Sequence, residues 1–305
     1  MSPPSIAPAY VGDASPLACT PIISVATAPY DGYEIDRMFE SLARIGVTHV
    51  ALSDPVGYRQ RLDEARYSPE CARTFAAALE RHGMKCHAVS AHLNLLAARE
   101  RLEFARRLDF ASRVGARVVN TFAGSRERER DAVDALRRAA DMASERGLKI
   151  GLENASDGRE SLLNVAGDAP RLLDRIASAA VGLTYDVGNA LAHRPQMDVV
   201  ADAMAALPYC VQVHLKDVSR LPEGWIPVAL GTGLLNLKEL VCGATRGGIP
   251  MSIELPLRQS QLPDGVRGRS RYRVALRDIE TAVATSLHWL KHCASASRFA
   301  ELTPI

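Results

Sequence analysis

Four ionisable residues stand at or next to the carboxyl ends of four successive apolar segments in the second half of the chain. They are Glu153, Asp186, His214 and Glu254, carried by LKIGLE, VGLTYD, CVQVHLK and IPMSIEL. Three carboxylates and one imidazole brought together would repel one another unless a cation lay among them. Oxygen-rich ligands with a single histidine suit Mn²⁺, Mg²⁺ or Co²⁺, and Zn²⁺ is also compatible. The pattern therefore predicts a divalent metal site, with Mn²⁺ as the first choice.

A metal held by such ligands supports proton transfer at a carbon next to a carbonyl. It polarises the carbonyl and stabilises the enediolate that forms when a base removes the α-proton. Glu153 and Glu254 are the candidates for that base and its conjugate acid. Return of the proton to the opposite face gives epimerisation, and transfer to the neighbouring carbon gives isomerisation. Asp186 and His214 would then be fixed ligands.

The elements that must position these residues alternate in character from about residue 21 onward. Eight short apolar segments are separated by longer Ala-, Leu- and Arg-rich segments with helical periodicity. The short segments span 22–27, 47–53, 85–91, 116–122, 148–153, 181–186, 210–216 and 249–255. This alternation predicts one α/β domain over residues 21–305, a single (β/α)8 barrel. The last helix is expected over about 273–295, and residues 1–20, rich in Pro, Ser and Ala, form an arm outside the barrel.

The two-residue period of a strand tells which side chains face the barrel interior. It places Glu153, Asp186, His214 and Glu254 on the inner face, and it points Val211 outward. Their positions near the strand ends put the four at the C-terminal rim, where barrel enzymes carry their active sites.

Composition excludes several other classes of protein. With 37 basic and 35 acidic residues the formal charge is only +2, which disfavours nucleic-acid and anionic-membrane partners. Six cysteines without C-x-x-C spacing indicate free thiols, and the N-terminus has no signal-peptide pattern. We expect a cytoplasmic protein that acts on a small molecule and could form a homo-oligomer.

The motifs around the four residues resemble those of a known family. GLEN, YDVGNA, HLKD and SIELP look like the metal-ligand motifs of the xylose-isomerase-like sugar isomerase and epimerase barrels. GTGLLNLKEL is similar to their G-x-G-x-x-D loop before the last strand. The spacing is most similar to that of the ketose 3-epimerase and keto-inositol isomerase group, whose two glutamates double as acid and base. In that group an arginine near the substrate corresponds to Arg220.

Two positions depart from the family pattern. Asn189 stands where the epimerases commonly have histidine, and Asn236 stands where the later loop usually has aspartate. An amide can exchange hydrogen bonds with a hydroxyl, but it cannot supply a proton as imidazolium can. The superfamily also includes dehydratases of 3-dehydroshikimate or inosose and decarboxylases of oxo-acids, so a lyase is the alternative.

Five residues are candidates for contacting the substrate: His92, Asn189, Lys216, Arg220 and Arg258. His92 follows the third strand at the same rim and could also act as an acid or base. Lys216 shares the inward phase of His214 and could neutralise a substrate oxygen or pair with Asp217 or a ligand carboxylate. Arg258 is the best placed of six arginines between residues 257 and 277. Histidines 49, 82, 87, 193, 288 and 292 are interpreted as structural or exposed.

These observations favour a metal-dependent isomerase or epimerase of a small polyhydroxy ketone, either a sugar or a keto-acid. A dehydratase or decarboxylase on the same scaffold is second, supported by Asn189 and the arginine-rich segment. A three-zinc DNA-repair endonuclease is disfavoured because Asn189 replaces one expected histidine and the charge is near neutral. A non-catalytic binding barrel is disfavoured by the retention of all four ligands.

Overall fold

A closed barrel of eight parallel strands forms the centre of the protein. The computed structural model describes residues 21–53, 64–155, 159–222, 224–261 and 267–299. The barrel strands are β1 (Ile23–Ala26), β2 (His49–Leu52), β3 (Lys85–Ser90), β4 (Val118–Phe122), β5 (Lys149–Glu153), β6 (Val181–Asp186), β7 (Cys210–Leu215) and β10 (Met251–Ile253). The predicted (β/α)8 architecture is confirmed, and the predicted arm lies outside the described residues.

Helices surround the barrel and cover the outer faces of its strands. Within the described residues they are α1 (Ile35–Ile45), α2 (Pro69–Arg81), α3 (Ala98–Arg113), α4 (Glu129–Ser144), α5 (Ala169–Ile176), α6 (Val187–His193), α7 (Val199–Ala206), α8 (Lys238–Arg246) and α9 (Leu276–Phe299). Helix α1 ends at Gly46, whose φ of +82° makes it a left-handed cap and whose N–H bonds back to Ala43. The final helix begins at Leu276 rather than near 273.

The apolar side chains of the strands form two clusters, one on the outer face of the barrel and one inside it. Outward side chains such as Ile150 and Leu183 join the large core between strands and helices. Inside the barrel a small separate cluster consists of Ala26, Ala51, Ala88 and Val118. Other inner positions carry buried polar residues, among them Asn120, Thr184 and Gln212.

Two bulges change which residues face inward. Val50 pairs with Cys86 and Ala51 with Ala88, so His87 is an extra residue in β3. In β7 the residue skipped by the register is Val211. Val211 packs against the interior alanine cluster, so its predicted outward orientation is wrong. Simple alternation fails there because a bulged residue shifts the phase of its own strand.

A second, four-stranded antiparallel sheet stands beside the C-terminal rim. It consists of β8 (Asp217–Leu221), β9 (Gly224–Val228), β11 (Gln259–Gln261) and β12 (Arg267–Arg269), in the order β12-β11-β9-β8. No pattern in the sequence indicated this sheet. Among the described helices, none combines the length and apolar character needed to cross a membrane.

The buried carboxylate of Asp217 organises the GTGLLNL loop that precedes α8. It accepts backbone hydrogen bonds from Val218 at 2.9 Å, Gly231 at 3.0 Å, Gly233 at 2.9 Å and Leu235 at 3.2 Å. A side chain at residue 233 would collide with this carboxylate, since a Cβ there would lie 2.1 Å from Oδ1. Asp217 therefore belongs to the loop, and it is not the partner of Lys216.

Replacing Asp217 by asparagine is expected to destabilise the protein. The amide would turn its own N–H₂ group toward a backbone N–H, leaving buried donors unpaired at a cost of about 1–3 kcal/mol. Urea denaturation should therefore show a lower free energy of unfolding for D217N. The matched control is Asp174→Asn, at an exposed position on α5. Equal stability of D217N and the wild type would contradict this role.

Candidate metal centre

The four predicted ligands converge at the C-terminal rim of the barrel. One ligand atom from each of Glu153, Asp186, His214 and Glu254 lies within 4.8 Å of the others, and all four residues are buried. His214 Nδ1 lies 3.6 Å from Glu153 Oε1, 3.9 Å from Asp186 Oδ2 and 3.6 Å from Glu254 Oε2. Separate strands supply them, so the closed barrel itself sets these distances.

Glu153, the last residue of β5, is held through both of its oxygens. Asn189 Nδ2 donates to Oε1 at 3.0 Å, and His92 Nε2 lies 2.8 Å from Oε2. The His92 ring stacks on Phe122, with the ring centroids 4.3 Å apart. Two predicted substrate-contact residues, His92 and Asn189, thus lie beside a predicted catalytic glutamate.

Asp186 ends β6 and at the same time begins helix α6. Its Oδ1 accepts a hydrogen bond from the backbone N–H of Asn189 at 2.9 Å, which caps the helix. Asn154 ties Asp186 to the neighbouring strand, because its Nδ2 donates to the Asp186 carbonyl and its Oδ1 accepts from the Asp186 N–H. Asn154 was not among the predicted site residues, although it is the final residue of the GLEN motif.

Lys216 pairs with ligand carboxylates, one of the alternatives left open by its sequence position. Its Nζ lies 2.6 Å from Asp186 Oδ2 and 2.8 Å from Glu254 Oε2. It also donates to Asn189 Oδ1 at 3.1 Å. The ammonium group therefore neutralises part of the negative charge of the cluster.

Residues deeper in the barrel hold the His214 ring from below. Its Nε2 lies 2.8 Å from Gln212 Nε2 and 3.3 Å from Asn120 Nδ2. Thr184 donates to Asn120 Oδ1 at 2.8 Å. A Cβ at Gly151 would lie 2.0 Å from Thr184 Oγ1, so only glycine leaves room for this hydrogen bond. Period-two phase could have identified Asn120, which is an inward residue of β4.

The hydrogen bonds of Gln212 help to determine which ring nitrogen of His214 could bind a metal ion. Among the described residues, Gln212 Oε1 and His214 Nδ1 have no hydrogen-bond partner. With the Gln212 amide rotated by 180°, Oε1 accepts from His214 Nε2–H, and the Nδ1 lone pair is then directed at the three carboxylates. That is the arrangement a metal-binding histidine requires.

Burial and neighbouring charges together set the protonation of the three carboxylates. Burial disfavours ionisation of Glu153, but His92 and His214 hold its pKa well below the usual value. Burial likewise opposes ionisation of Glu254, but Lys216 and His214 lower its pKa to about 2. For Asp186, burial outweighs the effect of Lys216, and its pKa is raised to about 7.

The same interactions favour the charged forms of the two cations. Burial alone would lower the pKa of His214, but the neighbouring carboxylates outweigh it, led by Glu153, and raise the pKa to about 9. Burial also disfavours the charged form of Lys216, whose pKa is nevertheless raised, chiefly by Asp186 and Glu254. Without a metal ion, protons on these two groups balance the buried negative charge.

The donor set fits a divalent cation. Three carboxylates and one imidazole offer hard oxygen ligands with a single nitrogen, and His214 Nδ1 is a buried atom without another described partner. The ligands Glu153, Asp186, His214 and Glu254 would hold the ion. Three further residues keep those ligands oriented: Asn189 contacts Glu153, Asn154 contacts the Asp186 backbone, and Gln212 contacts His214.

Metal binding should depend on pH because the ligands must lose protons. His214 with a pKa of about 9 and Asp186 with a pKa of about 7 both carry protons at or below neutrality. We therefore expect Mn²⁺ affinity to rise by about tenfold or more per pH unit between about pH 6 and 8. Calorimetric titrations in buffers of different ionisation enthalpy should show proton release. Affinity that is independent of pH would contradict this protonation scheme.

A cavity opens above the cluster. Its lining includes His92, Glu153, Asn189, Lys216 and Glu254, together with Trp225 and Pro227 from the small sheet. The sheet therefore forms one wall of the mouth and adds an aromatic ring to a polar floor.

The two predicted arginines lie outside the cluster itself. Arg220 is exposed on β8, with its guanidinium carbon 5.5 Å from the ring centroid of Trp225. Arg258 is mostly buried and pairs with Asp31, 3.0 Å from Oδ2, and it also donates to the Ser270 carbonyl. Arg269 contacts the same Asp31 carboxylate. Arg220 thus reaches the wall of the cavity, whereas Arg258 is engaged in joining two loops.

Comparisons with known proteins agree with the barrel fold. A family model described as "Xylose isomerase-like TIM barrel" matches residues 39–293. Among solved structures, a xylose isomerase-like TIM barrel protein from Mycobacterium smegmatis in complex with magnesium is 18% identical, with a TM-score of 0.66 over 91% of this chain and 97% of that one. An L-ribulose 3-epimerase is 16% identical, with a TM-score of 0.68 over 93% and 98%.

A third similar structure is a probable 3-DHS dehydratase from Bacillus anthracis. It is 14% identical, with a TM-score of 0.66 over 88% of this chain and 98% of that one. None of the curated proteins matches the chain by sequence. Identities this low show a shared fold only. The family model, however, covers most of the chain, and the protein belongs to the xylose isomerase-like TIM barrel family.

Proposed function

We propose that the protein is a divalent-metal-dependent isomerase or epimerase of a small polyhydroxy ketone, either a sugar or a keto-acid. The observation that carries this proposal is the convergence of two glutamates, an aspartate and a histidine within 4.8 Å beneath an open cavity. We further propose Mn²⁺ as the ion and the cytoplasm as the place of action.

The chemistry follows from the charge states of the two glutamates. A bound divalent ion would polarise the substrate carbonyl and stabilise the enediolate. Glu153 and Glu254 both have lowered pKa values and are ionised near neutrality, so either can accept the α-proton. They reach the site from β5 and from the end of β10, which lets one remove a proton and the other return it.

The residues around the glutamates suit a hydroxylated substrate. His92 and Asn189 hold Glu153 in place and line the cavity, where each can also contact a substrate hydroxyl. Lys216 lines the same cavity and carries positive charge that would favour a developing oxyanion. We propose that Arg220 contacts the substrate from the Trp225 side, and that Arg258 acts there through the loops it joins.

Proton exchange in deuterated water tests this proposal. The Mn²⁺-loaded protein is incubated with keto-sugars, keto-inositols and keto-acids, and the products are followed by NMR. We expect one substrate to gain deuterium next to its carbonyl and to appear as an epimer or isomer with an unchanged carbon skeleton. Absence of exchange with every substrate, in protein that has bound its metal, would contradict the proposal.

A lyase is the second candidate, and the His92–Glu153 pair favours it. Loss of water after enolisation needs a group that protonates the leaving hydroxyl, and His92 Nε2 stands 2.8 Å from Glu153 at the cavity wall. Asn189 cannot supply that proton. In the same NMR experiment, a lyase would give a product lacking water or carbon dioxide. Replacing His92 by glutamine would then reduce elimination more than it reduces deuterium exchange.

A further inference from the structure

A second cavity lies at the N-terminal end of the barrel, opposite the metal centre. Its volume is about 640 Å³, and the residues at the starts of several barrel strands line it. His49 is the first residue of β2, Lys85 is the first of β3, and Arg117 directly precedes β4. None of these residues takes part in the proposed reaction.

The cavity concentrates positive charge. Lys85, Arg113 and Arg117 line it against one carboxylate, that of Glu80. Within the described residues, no ion pair engages these three cations, whereas many arginines elsewhere, such as Arg146 and Arg171, are paired with carboxylates. Three cations and one carboxylate leave a net charge of two positive units, which matches a doubly charged oxyanion.

Strand register brings residues that line this cavity onto adjacent strands. His49 and Lys85 are register partners on adjacent strands, and the backbone N–H of Arg117 bonds to the carbonyl of His87. Neighbouring parallel strands are about 4.8 Å apart, so the strand starts that carry these residues adjoin one another. Arg113 reaches the same cavity from the last turn of α3.

A buried polar group also lines the cavity. His87 is the bulged residue of β3 and is only 3% exposed, yet neither ring nitrogen has a hydrogen-bond partner in the described part of the chain. Bulges redirect side chains, and an unpartnered buried imidazole is costly unless something satisfies it. Burial, with His49 and Arg117 acting in the same direction, lowers the pKa of His87 to about 4. The ring is therefore neutral and has one N–H to donate.

We propose that this cavity binds a small oxyanion of the phosphate class, held by Lys85, Arg113 and Arg117 with a hydrogen bond donated by His87. The planar guanidinium groups suit the tetrahedral oxygens of phosphate, and the lysine adds a point charge. The anion would be either free phosphate or the phosphate group of a larger molecule. The site is separate from the metal centre and does not depend on the proposed reaction.

Calorimetric titration of the full-length, metal-loaded protein tests the proposal. The probes are inorganic phosphate and adenosine monophosphate, which distinguish a free anion from a phosphate ester. We expect saturable binding of at least one probe. Affinity should be at least about tenfold lower in Arg117→Gln and in Lys85→Gln, because each loses a charge-assisted contact. His87→Leu should also weaken binding.

Arg106→Gln is the matched control, because Arg106 is an exposed arginine on α3 that does not line the cavity. We expect it to bind the probes as the wild type does. Thermal unfolding without anion would verify that each variant is folded, and Lys85 and Arg117 are exposed enough for that to be expected. Absence of saturable binding, or equal affinity in the wild type and the two charge variants, would overturn the proposal.

Discussion

Replacing either glutamate of the metal centre by glutamine is expected to abolish turnover. Each substitution keeps the size of the side chain and removes the carboxylate that would accept or return the proton. Loss of a positioned acid or base lowers rates by about 10²–10⁴-fold, and loss of a metal ligand adds to that. We therefore expect Glu153→Gln and Glu254→Gln each to reduce kcat by at least about 10³-fold in the deuterium-exchange assay.

The matched control for these variants is Glu239→Gln, at an exposed position on α8. It should have wild-type activity, and circular dichroism should show that all three variants are folded. Substantial activity in either Glu153→Gln or Glu254→Gln would remove the two-glutamate mechanism while leaving the fold in place.

Replacing Lys216 by methionine is expected to destabilise the metal-free protein strongly. Lys216 Nζ lies within 2.8 Å of both Asp186 and Glu254, so its loss leaves two buried carboxylates with His214 as the remaining nearby cation. Removing one partner of a buried ion pair lowers the free energy of unfolding by about 3–5 kcal/mol. The loss should be smaller at acid pH, because protonation of Asp186, with its raised pKa, removes part of the uncompensated charge.

Metal should restore the stability of this variant. An ion that binds only the folded state stabilises it by about 4 kcal/mol at a thousandfold excess over Kd. Thermal unfolding with and without Mn²⁺ should therefore show a larger metal-induced rise in Tm for Lys216→Met than for the wild type. Lys238→Met, at an exposed position on α8, is the control and should behave as the wild type does. A metal-free Lys216→Met protein as stable as the wild type would contradict the proposed charge balance.

The barrel and the convergence of its four predicted ligands could be predicted because both depend on short-range regularities. Eight apolar segments separated by helix-length intervals have few other ways to bury their surfaces, and period two sends Glu153, Asp186 and His214 to one side of their strands. The prediction that they meet is confirmed by ligand atoms within 4.8 Å.

Other features depend on contacts that no local pattern encodes. The bulges at His87 and Val211 arise from the register between neighbouring strands, which the alternation of a single strand does not reveal. Arg258 meets Asp31, which is 227 residues away in the chain. The small sheet is built partly from three-residue strands, too short to show periodicity.

The residues that contact the His214 ring from inside the barrel could be predicted only in part. Asn120 and Gln212 share the inward phase of their strands, so their location was accessible from the sequence. Their contacts with the His214 ring could not be predicted, because these depend on the distance between strands and on the space left by Gly151.

Elemental analysis of the purified protein, loaded with Mn²⁺ and then dialysed, tests whether these four residues bind a divalent ion. The structure predicts one divalent ion per chain in the wild type, and its loss from the Asp186→Ala/His214→Ala double variant. Glu239→Gln should retain the ion. A wild-type protein that holds no ion under metal-replete conditions, or a double variant that holds as much as the wild type, would contradict the assignment of these residues as a metal centre.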